Sequence, residues 1–377
     1  MEHAIPRKWW HVPAAALTAA VLTASSAPAY AHADRQAGPG PSWSASSTAP
    51  APVSSDLLDP AGGPGDDVPA VADDEASSVA DYWTAERMES AIPADEPGRD
   101  HTEQGLGTLS SASPDQSGPP TVVAEPVPAA DAPAADAPVS PQAYPVEDYS
   151  PTNGKVFFRN LSDGRDYVCS GSAINSATKR LVVTAGHCVH GGPGGTWHAN
   201  WVFAPGYDHG PGPEATFPAA SFRAFDEWIT YGASGRGFNS DVAFVTTEVN
   251  ESGETVVDAV GGHGLTTGGS PGFAATVFGY PVNLDAGERM WSCVGTTDTQ
   301  QIGSYLFPSI SGCGFGGGSS GGPWLDRYDD ASGLGYVRSV TSFGPADSNA
   351  YISGPHFDER VSDLYAAADS DWSGGDQ

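Results

Sequence analysis

Three short stretches of the chain carry side chains that could perform nucleophilic chemistry: "TAGHC" at 184–188, "SDVAF" at 240–244 and "GGSSGGPW" at 317–324. The reactive residues in them are His187, Asp241 and Ser320, in that order. Histidine is the natural general base near neutral pH. A carboxylate can orient an imidazole, and a serine hydroxyl activated by that base can attack an acyl group. The combination therefore indicates acyl transfer.

The glycine-rich stretch has two interpretations, a flexible linker or a tight loop holding one reactive serine. Glycines permit backbone angles closed to other residues, and they leave main-chain N–H groups uncovered. If Ser320 attacks, its own N–H and that of Gly318 are the natural pair to bind an oxyanion. Ser319 is the rival nucleophile, but that choice would displace the Gly-Gly-Pro turn by one residue. The strands predicted after this stretch favour the loop, since a linker would separate them from their domain.

All four cysteines lie beyond residue 168: Cys169, Cys188, Cys293 and Cys313. An even number in an exported chain predicts two disulfides, with three connectivities open. Nearest-neighbour pairing closes two short loops, and a Cys169–Cys188 bridge would fix the turn that carries His187. No Cys-x-x-Cys spacing is present, so we expect no metal site and no cofactor.

The N-terminus has basic, apolar and small residues in the order that is typical of a secretory signal peptide. We predict that this signal peptide spans residues 1–33. Arg7 and Lys8 precede an apolar run from 12 to 22, and small residues offer cleavage after Ala31 or Ala33. The run is shorter than the roughly 20 residues that span a bilayer. The sequence thus predicts a secreted protein with no membrane association after signal removal. A net charge of −30, from 16 basic and 46 acidic residues, argues against nucleic acid as a partner because phosphates would be repelled.

Residues 34–143 form an acidic leader rich in alanine and proline, which we interpret as a propeptide or linker. Its few large apolar residues predict a mostly disordered segment, since little burial offsets the ordering entropy. One island, "DYWTAERMESAIP" at 81–93, predicts a short helix capped by Thr84 and stopped by Pro93.

The sequence pattern of residues 144–377 is typical of one antiparallel all-β domain, either a sandwich or paired barrels. Short apolar runs bounded by turn residues lie at 155–158, 181–185, 200–205, 241–247, 275–281 and 336–344. Helical spacing occurs in the tail at 356–369, where one face carries Phe357, Val361, Leu364, Tyr365 and Ala368.

The three motifs, in the order His, Asp, Ser, make residues 145–365 resemble the secreted bacterial trypsin-like serine peptidases of the chymotrypsin fold. The resemblance implies two six-stranded antiparallel Greek-key β-barrels with the active site between them and a C-terminal helix. It implies a monomeric serine endopeptidase that cleaves proteins or peptides through an acyl-enzyme. His187 would be the general base, Asp241 its orienting partner and Ser320 the nucleophile. The leader motif "YWTAERM" also looks like the propeptides of actinobacterial members.

The same resemblance suggests where specificity resides. Gly314 would lie at the floor of the pocket, with Phe315 and the glycines after it along one wall. Ser342, Phe343 and Gly344 would pair with the substrate backbone. The floor position carries no acid and position 341 is Thr, so neither a basic nor a glutamate side chain is expected; we predict an apolar one.

In the commonest animal members of this family, the residue before the nucleophile is an aspartate, which pairs with the N-terminal amine formed by cleavage. In this chain that residue is Ser319. An ion pair with a new N-terminal amine is therefore unavailable. We expect the leader to act by steric cover or by assisting folding.

Two alternatives remain open at this stage. Gly318 to Gly322 also satisfies G-x-S-x-G, so an α/β-hydrolase esterase with His356 as base is one. A catalytically inactive binding module of the same fold is the other. We expect five further histidines to be surface residues: His190, His198, His209, His263 and His356.

Overall fold

The computed structural model describes residues 42–46, 79–94, 118–130, 145–212, 216–345, 348–370 and 372. All of them belong to one compact unit, Pro41–Gln377. The predicted signal peptide lies outside the described residues. Among the helices that are described, none is long and apolar enough to cross a bilayer.

Short elements from the leader come first in the chain. They are β1 (Trp43–Ser46), α1 (Val79–Tyr82), α2 (Ala85–Ser90), β2 (Ile92–Pro93) and β3 (Thr121–Ala124), and β4 (Val146–Glu147) follows at the start of the main domain.

The first barrel is a closed ring of six antiparallel strands. These are β5 (Asn153–Asn160), β6 (Arg165–Ile174), β7 (Leu181–Thr184), β8 (Ala199–Pro205), β9 (Phe217–Phe225) and β10 (Ala243–Thr247). The order around the ring is β9-β10-β7-β6-β5-β8, and pairing of β8 with β9 closes it. Two short helices, α3 (Asp226–Tyr231) and α4 (Gly235–Phe238), join β9 to β10. Valine and phenylalanine fill the interior of this ring, as in other small barrels.

The second half of the domain follows α5 (Val256–Val260). Its strands are β11 (Gly264–Thr267), β12 (Ala274–Gly279), β13 (Trp291–Thr296), β14 (Asp298–Ile302), β15 (Tyr305–Ser311), β16 (Pro323–Asp329), β17 (Leu334–Val340) and β18 (Tyr351–Ser353). Five of them join β3 and β4 in a seven-stranded sheet, β3-β11-β17-β16-β12-β13-β4, and the other three form the sheet β14-β15-β18. The six predicted apolar runs each fall on a strand, and the predicted double-barrel fold is confirmed.

The C-terminal helix α6 (Glu359–Ser370) closes the described chain. Val361, Leu364 and Ala368 are at most 2% exposed, so the predicted apolar face is confirmed. The helix lies on the first barrel, where Thr246 Oγ1 donates a hydrogen bond to Ala368 O at 3.1 Å.

The expectation that the remaining histidines lie at the surface is wrong for His190, His198 and His263, which are at most 6% exposed. Polar partners make this burial tolerable. His263 Nε2 lies 3.0 Å from Asn153 Oδ1, and its Nδ1 accepts from Gly335 N at 3.3 Å. Desolvation lowers the pKa of His263 to about 3, so the imidazole is neutral in the folded protein.

The helical island of the leader is confirmed, and it packs on the first barrel. Thr84 caps α2 by accepting a hydrogen bond from the backbone N–H of Arg87. Trp83 is 5% exposed; its Nε1 donates to Asn200 O at 2.5 Å, and its ring lies 5.3 Å from that of Phe157. The island is therefore an anchored part of the fold.

A buried polar network fixes the same segment. Tyr82 OH donates to Asp166 Oδ1 at 2.7 Å, and Arg159 Nη1 donates to both groups, at 2.9 Å and 2.8 Å. Burial, reinforced by the bond to Asp166, raises the pKa of Tyr82 to about 12.

Two further leader segments also pair with the main domain, which the composition did not predict. Strand β1 adds to β9, and β3 adds to β11, both antiparallel. Strand pairing at a sheet edge is made by main-chain hydrogen bonds and does not require large apolar side chains. A low content of such residues therefore does not exclude it. The rest of the predicted disordered leader lies outside the described residues.

The Trp83 anchor leads to a stability prediction. Trp83→Ala should lower the free energy of unfolding by about 3 kcal/mol, because it removes a large buried ring and leaves Asn200 O without its donor. Urea denaturation of the full chain measures this. Glu86→Ala, an exposed position on the neighbouring helix α2, is the control and should be near neutral. Equal midpoints for the two variants would show that the island contributes no stability.

Candidate active site

His187 sits on a 3-10 turn, Gly186–Cys188, directly after β7 ends. The carbonyls of this turn and of the residues after it are held by side-chain nitrogens that are buried in the first barrel. These contacts are His198 Nε2 to His187 O at 3.1 Å, Trp201 Nε1 to Cys188 O at 3.0 Å and Trp228 Nε1 to His190 O at 2.9 Å. Fixed carbonyls leave the imidazole with a defined position, which a proton-transfer group requires. None of these three contacts has a signal in the sequence, because the donor of each is not marked by any local pattern.

Asp241 lies just before β10 and is fully buried. Both of its carboxylate oxygens accept hydrogen bonds, and the donors come from both halves of the domain. Oδ1 accepts from the backbone N–H of His187 at 2.8 Å, and Oδ2 lies 2.8 Å from His187 Nδ1. Ser342 Oγ also donates to Oδ2, at 2.5 Å. Since Nδ1 faces a carboxylate, it carries the proton, and Nε2 keeps the lone pair.

Ser320 lies next to the disulfide that adjoins His187. Its carbonyl oxygen accepts from Ser170 N at 2.7 Å, and Cys188 Sγ is 3.8 Å from the same oxygen. Ser320 is 1% exposed, and its Oγ has no hydrogen-bond partner within the described part of the chain. A buried hydroxyl without a structural partner is a candidate for chemistry. The rival, Ser319, is engaged, because its Oγ donates to Gly316 O at 2.7 Å.

Two glycines around Ser320 have backbone conformations that other residues rarely adopt. Gly318 has φ +89°, and an added Cβ would lie 2.6 Å from Tyr280 O. Gly321 has φ +81°, and its Cβ would lie 2.2 Å from Thr184 Oγ1. Each position therefore requires glycine for both conformation and space. The stretch is a packed loop between the two halves of the domain, and the linker interpretation is wrong.

Both disulfides have the nearest-neighbour pairing, Cys169–Cys188 and Cys293–Cys313. The first ties β6 to the histidine turn, and the second ties β13 to the segment before the glycine loop. Cys169, His187 and Cys188 bring metal-ligating atom types within 4.8 Å of one another. Because both sulfurs are bonded to each other, this cluster offers a metal only one ligand.

The predicted specificity residues lie on two segments beside the glycine loop. Asn283 shapes the first, since its Nδ2 donates to Gly314 O at 2.9 Å and its Oδ1 accepts from Gly316 N at 2.8 Å. Phe315 is 2% exposed and packs in the apolar cluster that contains the Cys293–Cys313 disulfide. Asn283 was not found from the sequence, where a lone asparagine between turns gives no signal.

The second segment, 342–344, is anchored to β18. Ser342 N and Phe343 N both donate to Ser353 O, at 2.9 Å and 3.1 Å. The Phe343 ring stacks on Phe238 at 4.3 Å and meets Phe307 edge-on at 5.2 Å. An apolar surface therefore flanks the site on this side.

Solved structures of bacterial proteases share this fold. Protease Anisep from Arthrobacter nicotinovorans is 30% identical, with a TM-score of 0.54, over 60% of this chain and 99% of its own. A thermostable serine protease, AL20, from an extremophilic microorganism is 33% identical, with a TM-score of 0.53, over 59% of this chain and 98% of its own. No protein-family model matches the chain, and no curated protein sequence does either.

With this identity over nearly the full length of both proteases, the chain belongs to the bacterial trypsin-like serine proteases of the chymotrypsin fold.

The two disulfides provide a matched pair for mutation. Their sequence separations are 19 and 20 residues, so replacing both cysteines of either pair with alanine should cost a similar stability, about 3 kcal/mol. Proteolytic activity should respond unequally: removing Cys169–Cys188 frees the histidine turn and should lower kcat/KM about tenfold more than removing Cys293–Cys313. Casein hydrolysis, measured below each variant's melting point, tests this. An equal or larger loss in the Cys293–Cys313 variant would contradict it.

Proposed function

We propose that the chain is a secreted serine endopeptidase that cleaves peptide bonds through an acyl-enzyme, with Ser320 as nucleophile, His187 as general base and Asp241 as its orienting acid. The observation that carries the proposal is the buried chain of hydrogen bonds Ser342–Asp241–His187 beside a serine hydroxyl that has no structural partner among the described residues.

In the acylation step, His187 Nε2 takes the proton of Ser320 Oγ as the oxygen attacks the substrate carbonyl carbon. The imidazolium then gives this proton to the departing amine, and the C–N bond breaks. Water repeats the sequence in deacylation, which releases the carboxylate product and restores Ser320. Asp241 stays ionised and stabilises the imidazolium through Nδ1–H.

The negative charge that forms on the substrate oxygen would be bound by the N–H groups of Gly318 and Ser320. The carbonyl before Gly318 is held within the domain, since Gly317 O accepts from Val282 N at 2.8 Å. In a trans peptide the N–H points opposite to the C=O, so this bond supports a Gly318 N–H that is directed at the substrate. The chemistry uses side chains and main-chain amides alone, without a cofactor.

Protein or peptide substrates would pair with residues 342–344 and place an apolar side chain near Gly314. The aromatic contacts of Phe343 support an apolar surface next to this strand. Two disulfides are typical of exported proteins and support secretion. The leader would then assist folding, because its described segments pack on the first barrel, with β1 paired to its strand β9, and β3 pairs with β11 of the second half.

Of the two alternatives, the α/β-hydrolase is excluded by the antiparallel barrels, since its Ser-acid-His order belongs to a different fold. The inactive binding module is the remaining rival, and a covalent label distinguishes it from a protease.

The proposal predicts that Ser320→Ala, His187→Ala and Asp241→Asn each reduce kcat/KM at least about a thousandfold, while the free energy of unfolding changes much less. Fluorophosphonate labelling followed by peptide mass mapping should place the adduct on Ser320. Ser319→Ala, the adjacent serine, is the matched control and should keep labelling and most activity. Absence of an adduct on folded protein, or an adduct on another serine, would refute the assignment.

A further inference from the structure

We propose that Ser170 is a positioning residue of the oxyanion-binding loop: its side chain, from the first barrel, fixes the orientation of the Gly318–Ser319 peptide in the second. The inference rests on the proposed function, because it concerns the N–H group of Gly318 that would bind the substrate oxygen.

Ser170 contacts the nucleophile loop at two points. Its backbone N–H donates to Ser320 O at 2.7 Å, and its Oγ donates to Gly318 O at 2.9 Å. The two carbonyls flank Ser319, so one residue of β6 holds the loop on each side of the residue that precedes the nucleophile. Ser170 also follows Cys169, whose disulfide partner Cys188 is next to His187. The same part of β6 therefore contacts the nucleophile loop and, through the disulfide, the turn that carries His187.

The Oγ of Ser170 is itself fixed. It accepts a hydrogen bond from Tyr280 N at 2.9 Å, and Ser170 is 1% exposed. The carbonyl of Ser170 accepts from Thr184 Oγ1 at 2.8 Å. Because Tyr280 N donates to the hydroxyl oxygen of Ser170, the hydroxyl proton is directed to Gly318 O. The hydroxyl therefore accepts one hydrogen bond and donates one.

The peptides on either side of Gly318 depend on hydrogen bonds to fix their orientation. A glycine at φ +89° has no side chain to oppose rotation of its neighbouring peptides. The peptide before it is held by Val282 N on Gly317 O at 2.8 Å. On the peptide after it, the N–H of Ser319 makes only a long bond, 3.4 Å, to Gly316 O. The hydroxyl of Ser170 therefore supplies a short contact that helps to hold this second peptide in place.

Removing the hydroxyl should weaken binding of the transition state more than binding of the substrate. The Gly318–Ser319 peptide lies between the two donor residues, so loosening it would let the backbone positions of Gly318 and Ser320, and with them their N–H groups, shift from the cleft for part of the time, while the 342–344 strand still pairs with substrate. Loss of a complete oxyanion donor costs about 100–1,000-fold in kcat. A donor that is present but less well fixed should cost less, so we expect Ser170→Ala to lower kcat about 10- to 30-fold and to change KM less than about twofold.

The experiment compares Ser170→Ala and Ser170→Gly, which lack the hydroxyl, with Ser170→Thr, which keeps it, in the full chain. Ser339→Ala is the matched control: this serine is also fully buried, and its Oγ donates to a carbonyl, Pro355 O at 2.8 Å, away from the loop. Rates are measured on tetrapeptide p-nitroanilides with Ala, Leu, Phe, Glu or Lys before the scissile bond. Near-UV circular dichroism confirms folding.

Inhibitor binding separates positioning from a general structural effect. A peptide boronic acid forms a tetrahedral adduct that uses the oxyanion donors, whereas the corresponding peptide carboxylate, a product, binds the same subsites without an adduct. We expect the boronate inhibition constant to rise by the factor by which kcat/KM falls in Ser170→Ala and Ser170→Gly. The carboxylate constant should stay within about twofold, and Ser170→Thr should recover most of the loss.

Each contrary result has a distinct meaning. If kcat in the hydroxyl-free variants stays within twofold of wild type, or if Ser339→Ala loses as much, the positioning role is wrong. Equal weakening of both inhibitors, or failure of both hydroxyl-free variants to fold, would assign the hydroxyl to general structure and would also overturn it. Ser320→Ala is assayed alongside: an active Ser320→Ala refutes the proposed function itself, whereas an inactive one beside a normal Ser170→Ala refutes this inference alone.

Discussion

A carboxylate without solvent contact must replace its lost hydration with hydrogen bonds, and that requirement at Asp241 organises the rest of the site. Its oxygens accept from the backbone and imidazole of His187 and from the hydroxyl of Ser342. These donors come from the turn after β7 and from the segment after β17, so satisfying one buried charge brings the two halves of the domain together. The hydrogen bonds that compensate the buried Asp241 carboxylate also fix the orientation of the His187 imidazole.

The rest of the cleft also depends on hydrogen bonds. Their donors lie elsewhere in the sequence, and they hold main-chain groups of the cleft in place. Tryptophan and histidine nitrogens hold the carbonyls of the histidine turn, and Ser170 holds two carbonyls of the glycine loop. Such contacts cost little in side-chain entropy, because strands already fix most of the donors. They also suit a site in which the backbone itself is proposed to bind the developing charge. The leader adds Trp83 and two edge strands to this scaffold from outside the cleft.

The sequence predicted what is encoded locally and missed what depends on distant partners. Apolar runs, the Thr84 cap, the tail helix and the cysteine pairing follow from spacing within about 20 residues, and all are present. Ser170 and Gly318 are 148 positions apart, and a serine in a strand has no pattern that signals its role. His198 was assigned to the surface because its neighbours are polar, yet its ring stacks on Phe158 at 4.2 Å. The paired main chain of the leader was likewise invisible in composition.

The central claim is that Ser320 attacks and that the Gly318 and Ser320 amides receive the oxygen that becomes charged. A crystal structure of the mature protein with a peptide boronic acid tests it most directly. We expect a boron–Ser320 Oγ bond, a boronate oxygen about 2.7–3.1 Å from both amide nitrogens, and the other hydroxyl facing His187 Nε2. A boronate bonded to any other residue, or an oxygen that contacts neither amide, would show that Ser320 and these amides do not have the proposed roles.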